Sequence, residues 1–175
     1  GGLYASGYTP DELGTVVSKL SFSELFSNSP SRQTMLFTRR LDSDQHLLSV
    51  RFDGYKPVIP QALTAGQKLT SLITSLTTKA NYQCGADFSK LPIPFKTIST
   101  DIVSGQEVVL DTGSIADAMR ATMAFPLAFT GLESENQVLM DGGMVTPIPV
   151  KLVRRMCDSV DVVLAINTAS KLLPK

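Results

Sequence analysis

The clearest periodic pattern in the chain lies in residues 61–80, where apolar side chains recur at helical spacing. They follow the i, i+3, i+4, i+7 pattern of a single helical stripe and are Leu69, Leu72, Ile73 and Leu76. The other face of this helix is made of serine and threonine. The composition favours a surface helix that turns its stripe toward a protein core over a helix that binds lipid.

The first twenty residues predict the end of one helix and the whole of another. Small residues suit close helix packing, and Gly7 suits the position just after a helix C-terminus. We therefore expect the chain to be a fragment whose first helix begins upstream. Thr9, Pro10 and Glu12 predict a second helix that begins with a capping box and runs to about Leu20. A short helix is expected at residues 22–26.

Two later helices are predicted from a capping pair and from apolar stripes. Ser114 is the expected N-cap, Asp117 stands at the capping-box position, and Pro126 ends the helix. Its apolar face carries Ile115, Ala118, Met119 and Met123. A final stripe consists of Pro149, Leu152, Val153 and Met156.

Two hairpins are predicted from apolar runs that flank turn residues. Residues 34–41 and 46–52 surround the polar segment 42–45, which is typical of a hairpin. Residues 95–100 form a buried strand that ends at Asp101, and residues 107–110 return after a turn. Proline-rich residues 57–60 indicate an irregular connection.

The last third of the chain predicts a strand–helix–strand unit. Residues 137–140 form a strand, and residues 160–166 are mostly apolar, as expected for a strand covered on both faces. With the helix at 149–156 between them, these elements predict a right-handed βαβ unit. The apolar pattern is continuous, so we expect a single domain over residues 1–175.

Composition excludes several classes of function. Lys and Arg number 16, as do Asp and Glu, and no cluster of basic residues stands out, which argues against a nucleic-acid partner. No apolar run approaches the roughly 20 residues needed to cross a bilayer. The single histidine, His46, and two distant cysteines, Cys84 and Cys157, offer no metal-ligand spacing, so no metal is expected. The cysteines either pair or are two buried thiols.

Asp141-Gly142-Gly143 is the segment most suggestive of chemistry. It follows the apolar run 138–140, so its carboxylate stands where a strand ends, and catalytic groups of open α/β sheets are often found there. Asp-Gly is also a common turn dipeptide, and on the dipeptide alone the turn interpretation prevails. The rest of the chain shifts the balance toward chemistry.

Several segments, taken in order, resemble the patatin-like phospholipases. Residues 2–8 resemble the helix that follows the nucleophile elbow of that family. Residues 98–101 with Gly105 are similar to one of its strand–turn segments, and residues 121–126 to its helix-ending Ala-Ser-x-Ala-x-Pro segment. Asp141-Gly142-Gly143 is similar to its catalytic motif. The hairpin at 34–52 is similar to that of bacterial members.

The resemblance covers nearly the whole chain and implies an α/β fold. It implies three α/β/α layers, a mainly parallel central sheet and a β-hairpin insertion, in a domain truncated upstream of the post-nucleophile helix. The family's Gly-x-Ser-x-Gly elbow and its Gly-rich oxyanion loop are absent from the 175 residues. Thr146 stands where the family often has Asn. No dinucleotide or P-loop motif supports a nucleotide-binding domain.

The resemblance also implies a lipid acyl hydrolase that uses a Ser-Asp dyad and no cofactor. Asp141 is then the general base, Gly142 and Gly143 leave room around it, and the serine lies outside this chain. An ordinary aspartate, with a pKa of about 3.9, is a weak base. The dyad therefore needs desolvation or a short, well-aligned hydrogen bond from the serine hydroxyl. His46 is expected to be a surface or packing residue.

The expected substrate is a phospholipid or another acyl ester. Peripheral contact of the protein with a membrane is compatible with such a substrate. Candidate lining residues for an acyl channel are Met119, Met123, Phe125 and Phe129, although simple core packing is the favoured explanation for side chains at this spacing. Asp101, Asp111 and Asp117 are better explained as turn, loop and helix-cap residues. The alternative function is a catalytically silent scaffold that keeps the lipase fold and binds lipid or protein. The oligomeric state and the compartment, bacterial cell envelope or cytoplasm, stay open.

Overall fold

The computed structural model describes residues 1–21, 25, 51–53, 56–58, 66–134, 136–156 and 160–167. The helices are α1 (Gly2–Ala5), α2 (Pro10–Ser18), α3 (Gln67–Cys84), α4 (Ile115–Thr122) and α5 (Val150–Met156). The strands are β1 (Arg51–Asp53), β2 (Lys56–Val58), β3 (Thr97–Asp101), β4 (Gln106–Leu110), β5 (Leu132–Ser134) and β6 (Gln137–Asp141). Two 3-10 turns cover Phe88–Lys90 and Gly142–Met144.

A four-stranded sheet in the order β4-β3-β6-β5 is the frame of the described fold. All five residues of β3 are buried, as expected for a central strand. In the register between β3 and β4, Thr97 lies opposite Leu110 and Asp101 lies opposite Gln106. Between β3 and β6, Ser99 lies opposite Asp141. The Asp-Gly-Gly segment therefore leaves the sheet next to β3, the strand whose five residues are all buried.

Helices α3 and α4 form a layer that packs against this sheet. Helix α4 contacts β3 and β6, and α3 packs on α4. One core cluster surrounds Phe88 and Ile115, both fully buried, and a second contains Leu69, Ile73 and Phe129. The predicted stripe of α3 thus supplies core residues, with Leu72 and Leu76 half-buried at its edge. Cys84 is a free, buried thiol, and Cys157 lies outside the described residues.

Local sequence signals locate the helix starts correctly. The Thr9 hydroxyl accepts the N–H of Glu12, and the Glu12 carboxylate accepts the N–H of Thr9 at 2.8 Å, which forms the expected capping box. The Ser114 hydroxyl accepts the N–H of Asp117. Gly7 has a φ of +99°, which suits the glycine predicted after α1.

The prediction of a mainly parallel sheet is not confirmed, because every strand pair in the described residues is antiparallel. Strands β3 and β4 are separated by four residues in sequence, and β5 and β6 by two. A parallel pair needs a crossover connection of a dozen or more residues, so these short links dictate antiparallel pairing of β3 with β4 and of β5 with β6. The long connection between β3 and β6 allows either direction, and that pair is antiparallel as well. The α/β character is confirmed, whereas the three-layer arrangement stays a prediction.

The prediction of a strand at 160–166 is wrong for the described segment 160–167, which has no regular secondary structure. Val162, Leu164 and Ile166 are 74%, 86% and 83% exposed. A strand requires a hydrogen-bonded neighbour, and none of the described strands pairs with this segment. The βαβ unit predicted from residues 137–166 consequently does not form among these residues.

Three smaller differences concern element boundaries and pairing. Helix α4 ends at Thr122, before the predicted Pro126, and Met123 becomes an exposed C-cap residue. Strand β1 overlaps the end of the strand predicted at 46–52, but it pairs with β2, which extends into the 57–60 stretch predicted to be irregular. The predicted strand 34–41, most of 46–52, His46 and all of the 22–26 helix except position 25 lie outside the described residues. Strand β5 was not predicted. Within the described part of the chain, no helix is long and apolar enough to cross a membrane.

Candidate active site

Asp141 is the last residue of β6 and the N-cap of the 3-10 turn Gly142–Met144. Its Oδ1 accepts the N–H of Gly143 at 2.8 Å. Its own N–H donates to the Ala124 carbonyl at 3.1 Å, and its carbonyl accepts the Thr100 hydroxyl at 3.0 Å. Its Oδ2 accepts no hydrogen bond from the described residues. Both sides of the Asp141 backbone are therefore fixed, and one carboxylate oxygen retains the capacity to accept another donor.

Gly142 is required by the close approach of its backbone to β3. A Cβ built at this position would lie 2.4 Å from the Ile98 carbonyl oxygen, a distance that real Cβ atoms do not show. At Gly143 the nearest atom to such a Cβ is Asp141 Oδ1, at 3.2 Å. The first glycine therefore lets the turn lie against the sheet, and the second keeps the space beside the carboxylate open.

Asp141, Gly142 and Gly143 line an open cavity of about 980 Å³. Gly1 and Gly2, at the start of α1, line the same cavity. Gly2 reaches this position because it packs directly on α4: a Cβ there would lie 2.5 Å from Met119 Sδ. The fold therefore brings the start of α1 and the Asp-Gly-Gly segment to one cavity, although they lie near opposite ends of the chain.

The walls of this cavity are largely apolar. The lining side chains besides Asp141 are Phe95, Lys96, Thr97, Ile98, Met119, Thr122, Met123, Phe125, Pro126, Met144, Thr146, Pro147, Ile148, Pro149, Leu152, Val153, Met156, Ile166 and Asn167. Four of them are methionines, of six in the whole chain. Methionine is flexible and polarisable, so these walls can adapt to apolar ligands of different shapes.

Three of the four predicted lining residues do line the cavity, and one does not. Met119, Met123 and Phe125 lie in its wall. Phe129 is 8% exposed and packs in the second core cluster. The Arg120 guanidinium lies over its ring at 4.9 Å from the centroid. Arg120 is itself 4% exposed, and this burial lowers its pKa below the ordinary value of a guanidinium.

Lys96 is a cavity residue that the sequence interpretation missed. Its Nζ lies 2.8 Å from Asp111 Oδ2, and both side chains are partly exposed. The pair continues the β3–β4 register by one position beyond Thr97 and Leu110. The turn predicted between Asp101 and the return strand 107–110 fixes that register, so the hairpin itself carried the signal that would have found this ion pair.

Thr146 fixes the segment that follows the glycines. It lines the cavity, and its hydroxyl donates to Glu107 Oε2 on β4. This hydrogen bond joins the far end of the 142–146 turn to the edge strand of the sheet. The side chain at the position where the resemblance leads one to expect Asn is therefore a polar contact that holds one cavity wall.

Asp101 has the turn-capping role expected of it and is absent from the cavity wall. Its carboxylate accepts the Ser104 hydroxyl at 2.6 Å and the backbone N–H groups of Val103 and Ser104. It also accepts the Val138 N–H at 3.2 Å, which ties the β3–β4 turn to β6. The hydrogen bond from Ser104 and those from the backbone hold the pKa of Asp101 below its ordinary value, although desolvation opposes them.

Replacing Asp101 with Asn is expected to lower the melting temperature at pH 7. The folded state lowers the pKa of Asp101 from about 3.8, so its contribution is fully present above that pH. The contribution is lost as the pH falls through the lowered value. The difference in melting temperature between wild type and Asp101→Asn should therefore shrink below pH 3.8. A difference in melting temperature for Asp101→Asn that stayed constant across this pH range would contradict this account.

No group of three His, Cys, Asp or Glu residues that could hold a metal ion occurs among the described residues.

Comparison with known proteins identifies the family. The chain is similar to uncharacterized NTE family proteins of Mycobacterium tuberculosis. It is 34% identical to Rv1063c over 61 residues, which are 35% of this chain and 17% of that protein. It is 30% identical to Rv2565 over 71 residues, 41% of this chain and 12% of that protein. The chain thus matches less than a fifth of the length of these relatives. The sequence pattern described as patatin-like phospholipase matches residues 1–154. The chain belongs to the patatin-like phospholipase family.

Proposed function

We propose that the protein is a lipid acyl hydrolase of the phospholipase A or lysophospholipase type. Asp141 is the general base of a Ser-Asp dyad whose serine lies upstream of Gly1. The observation that carries this proposal is the shared cavity, because Asp141 and the first two residues of the chain line the same apolar space. A serine just upstream of α1 would enter this space and face the Asp141 carboxylate.

The reaction needs one proton acceptor that later becomes a donor. Asp141 takes the proton of the serine hydroxyl while the serine oxygen attacks the acyl carbonyl. The tetrahedral intermediate collapses to an acyl-enzyme, and Asp141 returns the proton to the leaving alcohol. Asp141 then takes a proton from water, the hydroxide attacks the acyl-enzyme, and the fatty acid leaves as the serine regains its proton.

The environment of Asp141 supports this role. The Gly143 N–H holds Oδ1 at 2.8 Å and so restricts rotation of the carboxylate. The remaining oxygen can accept the serine hydroxyl, and the absence of a Cβ at Gly143 keeps the approach open. Stabilisation of the oxyanion, worth roughly 3 kcal/mol for each donor removed in other hydrolases, is assigned to the family's upstream Gly-rich loop.

The walls of the cavity support an acyl substrate. Met119, Met123 and Phe125 supply apolar surface in the same cavity as the carboxylate. The Asp111 carboxylate lies against the Lys96 ammonium, so the charge of Lys96 is largely compensated. An aliphatic chain therefore fits this wall better than a strongly charged ligand does.

A catalytically silent scaffold is the second candidate, and a specific observation favours it. Asp141 Oδ1 caps the 3-10 turn, which is a structural reason to have an aspartate or asparagine at this position. The 175 residues themselves contain no Gly-x-Ser-x-Gly segment. Under this alternative the cavity binds a lipid or a protein segment without turnover.

Labelling with a fluorophosphonate separates the two functions. The protein extended upstream of Gly1 should gain one adduct, on a serine shortly before Gly1, as measured by intact mass and peptide mapping. The 175-residue chain is the matched control and should gain none. Phospholipid hydrolysis by the extended protein should cease upon labelling. An extended protein that neither reacts nor hydrolyses ester would support the scaffold.

A further inference from the structure

Ser99 is a buried serine in the middle of β3. Its side chain is fully buried, and its Oγ forms no hydrogen bond with a described residue. The two other hydroxyls of this strand, those of Thr97 and Thr100, donate to the carbonyls of Ala118 and Asp141. A buried hydroxyl that lacks a partner costs folding free energy that an alanine would not cost. The serine is therefore explained by function more readily than by stability.

Ser99 lies directly opposite Asp141 in the register between β3 and β6. Farther along, the Ile102 N–H donates to the Val138 carbonyl at 3.0 Å, which makes those two residues a hydrogen-bonded pair. Because the two kinds of pair alternate along antiparallel strands, Ser99 and Asp141 form a non-hydrogen-bonded pair. In such pairs the Cα atoms are about 4.5 Å apart, and both side chains stand on the same face of the sheet. The Ser99 hydroxyl is therefore within reach of the Asp141 carboxylate.

Ser99 lies behind the cavity wall and not in it. Its neighbours Thr97 and Ile98 line the cavity, as does Asp141, whereas Ser99 does not. A substrate in the cavity consequently reaches the carboxylate but not this hydroxyl. An effect of Ser99 on the reaction therefore has to pass through Asp141.

A carboxylate in an apolar cavity needs hydrogen-bond donors to stay ionised, because an acyl chain expels the water that would otherwise solvate it. The Gly143 N–H donates to Asp141 Oδ1 at 2.8 Å, and Oδ2 has no donor among the described residues. A donor placed inside the cavity would obstruct the ester, whereas a donor behind the wall does not. Oδ2 can accept such a bond together with the bond from the catalytic serine, since a carboxylate oxygen has two lone pairs.

We propose that Ser99 is a positioning residue for the general base and that its hydroxyl donates a hydrogen bond to the Asp141 carboxylate. A rotation about the Cα–Cβ bond of Ser99 turns the hydroxyl toward Oδ2. The hydrogen bond holds the carboxylate in line with the nucleophile and keeps it ionised while the acyl chain excludes water. This inference rests on the proposed function, because the carboxylate has to act as a base.

The charged side chains on the elements around this pair have partners of their own or are exposed. The Lys96 ammonium pairs with Asp111, and Asp101 caps the β3–β4 turn. The Arg120 guanidinium of α4 lies over the Phe129 ring. The exposed ones are Glu107, Asp117, Glu133, Lys151, Arg154 and Arg155. A change in pH dependence that follows removal of the Ser99 hydroxyl is therefore assigned to Asp141.

A double-mutant cycle in the 175-residue chain tests the hydrogen bond without any hydrolysis. The variants are Ser99→Ala, Asp141→Ala and the two combined, and the urea midpoint at pH 7 is the readout. In the Asp141→Ala background, Ser99→Ala removes a hydroxyl that has lost its acceptor, so the midpoint should rise. In the wild-type background the same change also removes a hydrogen bond to a charged group, so the midpoint should rise less or fall. Equal shifts in the two backgrounds would overturn the proposal.

Kinetics of the protein extended upstream of Gly1 test the positioning role. Ser99→Ala should lower kcat about tenfold and leave KM unchanged, because the substrate does not touch this hydroxyl. The acidic limb of the pH–rate profile should move about one unit toward higher pH, since the ionised base has lost a donor. Ser99→Cys keeps most of the volume but is a weaker donor, so it should shift the limb in the same direction. Thr77→Val, which removes a buried hydroxyl of α3 outside the cavity wall, is the matched control and should leave both readouts unchanged.

The outcomes separate this inference from the proposed function. Hydrolysis with an unchanged kcat and an unmoved acidic limb in Ser99→Ala would overturn the positioning role and leave the hydrolase intact. A raised KM with an unmoved limb would also overturn it and would identify Ser99 as packing behind the wall. Coupling in the double-mutant cycle, without ester hydrolysis by the extended protein, would support the Ser99–Asp141 hydrogen bond and contradict the hydrolase.

Discussion

Asp141→Asn in the protein extended upstream of Gly1 is expected to reduce kcat/KM for ester hydrolysis about a thousandfold. Removal of a positioned general base typically costs 10² to about 10⁴ in rate, and here the same group serves in both half-reactions. Asparagine keeps an oxygen that can accept the Gly143 N–H, which lies 2.8 Å from Oδ1 in the wild-type protein. The variant therefore changes charge and basicity while it preserves the turn.

Two companion variants make this result specific. Asp141→Ala should lose the same activity and, in addition, about 1 kcal/mol of stability, because it also removes the cap. Asp117→Asn, at an exposed position outside the cavity wall, should keep full activity. Activities should be measured on a phospholipid and on a soluble ester, with melting temperatures in parallel. Wild-type activity in Asp141→Asn would reject Asp141 as the base and leave its carboxylate with the capping role alone.

Gly142→Ala is expected to destabilise the protein by roughly 3 kcal/mol, at the upper end of the usual cost of overpacking. The added Cβ would lie 2.4 Å from the Ile98 carbonyl oxygen and 2.6 Å from its carbonyl carbon. Both atoms belong to a fully buried central strand and cannot move aside cheaply. Urea unfolding, monitored by circular dichroism, measures the loss.

Gly14→Ala is the matched control for this substitution. It lies within α2, and a Cβ there meets nothing within 4 Å. The change should stabilise the protein by about 0.5 to 1 kcal/mol, because alanine is the better helix former. If Gly142→Ala unfolded at the same urea concentration as wild type, the turn would have to sit farther from β3 than the structure has it.

The parts of the fold that were predictable are those encoded by neighbouring residues. The capping box of Thr9 and Glu12, and the hairpin whose turn Asp101 caps, depend on contacts a few positions apart. Each leaves a short signature in the sequence. Asp141 could be singled out for the same reason. The apolar run before it predicts a strand, and the Asp-Gly-Gly segment predicts where that strand ends.

The parts that were missed depend on partners distant in sequence. Residues 160–166 have the composition of a buried strand. A strand forms only if a neighbouring strand pairs with it, and composition does not identify that neighbour. Strand β5 has the opposite problem, since its three residues are a strand mainly because β6 pairs with them. Within the site, Gly2 packs on Met119, and Phe129 is buried in the core. Both contacts result from helix packing, which no local sequence pattern encodes.

The shared cavity also sets an order of events during synthesis. Gly1 and Gly2 belong to its wall, yet Met119 and Asp141, on the same wall, are made more than a hundred residues later. Contacts between such distant segments form late, because a long loop must close first. On the ribosome, α1 can therefore pack on α4 only after most of this stretch of chain has been synthesised. The hairpin of β3 and β4 can form soon after it emerges, but the cavity wall that contains both Asp141 and the start of α1 is assembled only when residues 1–141 have all been made.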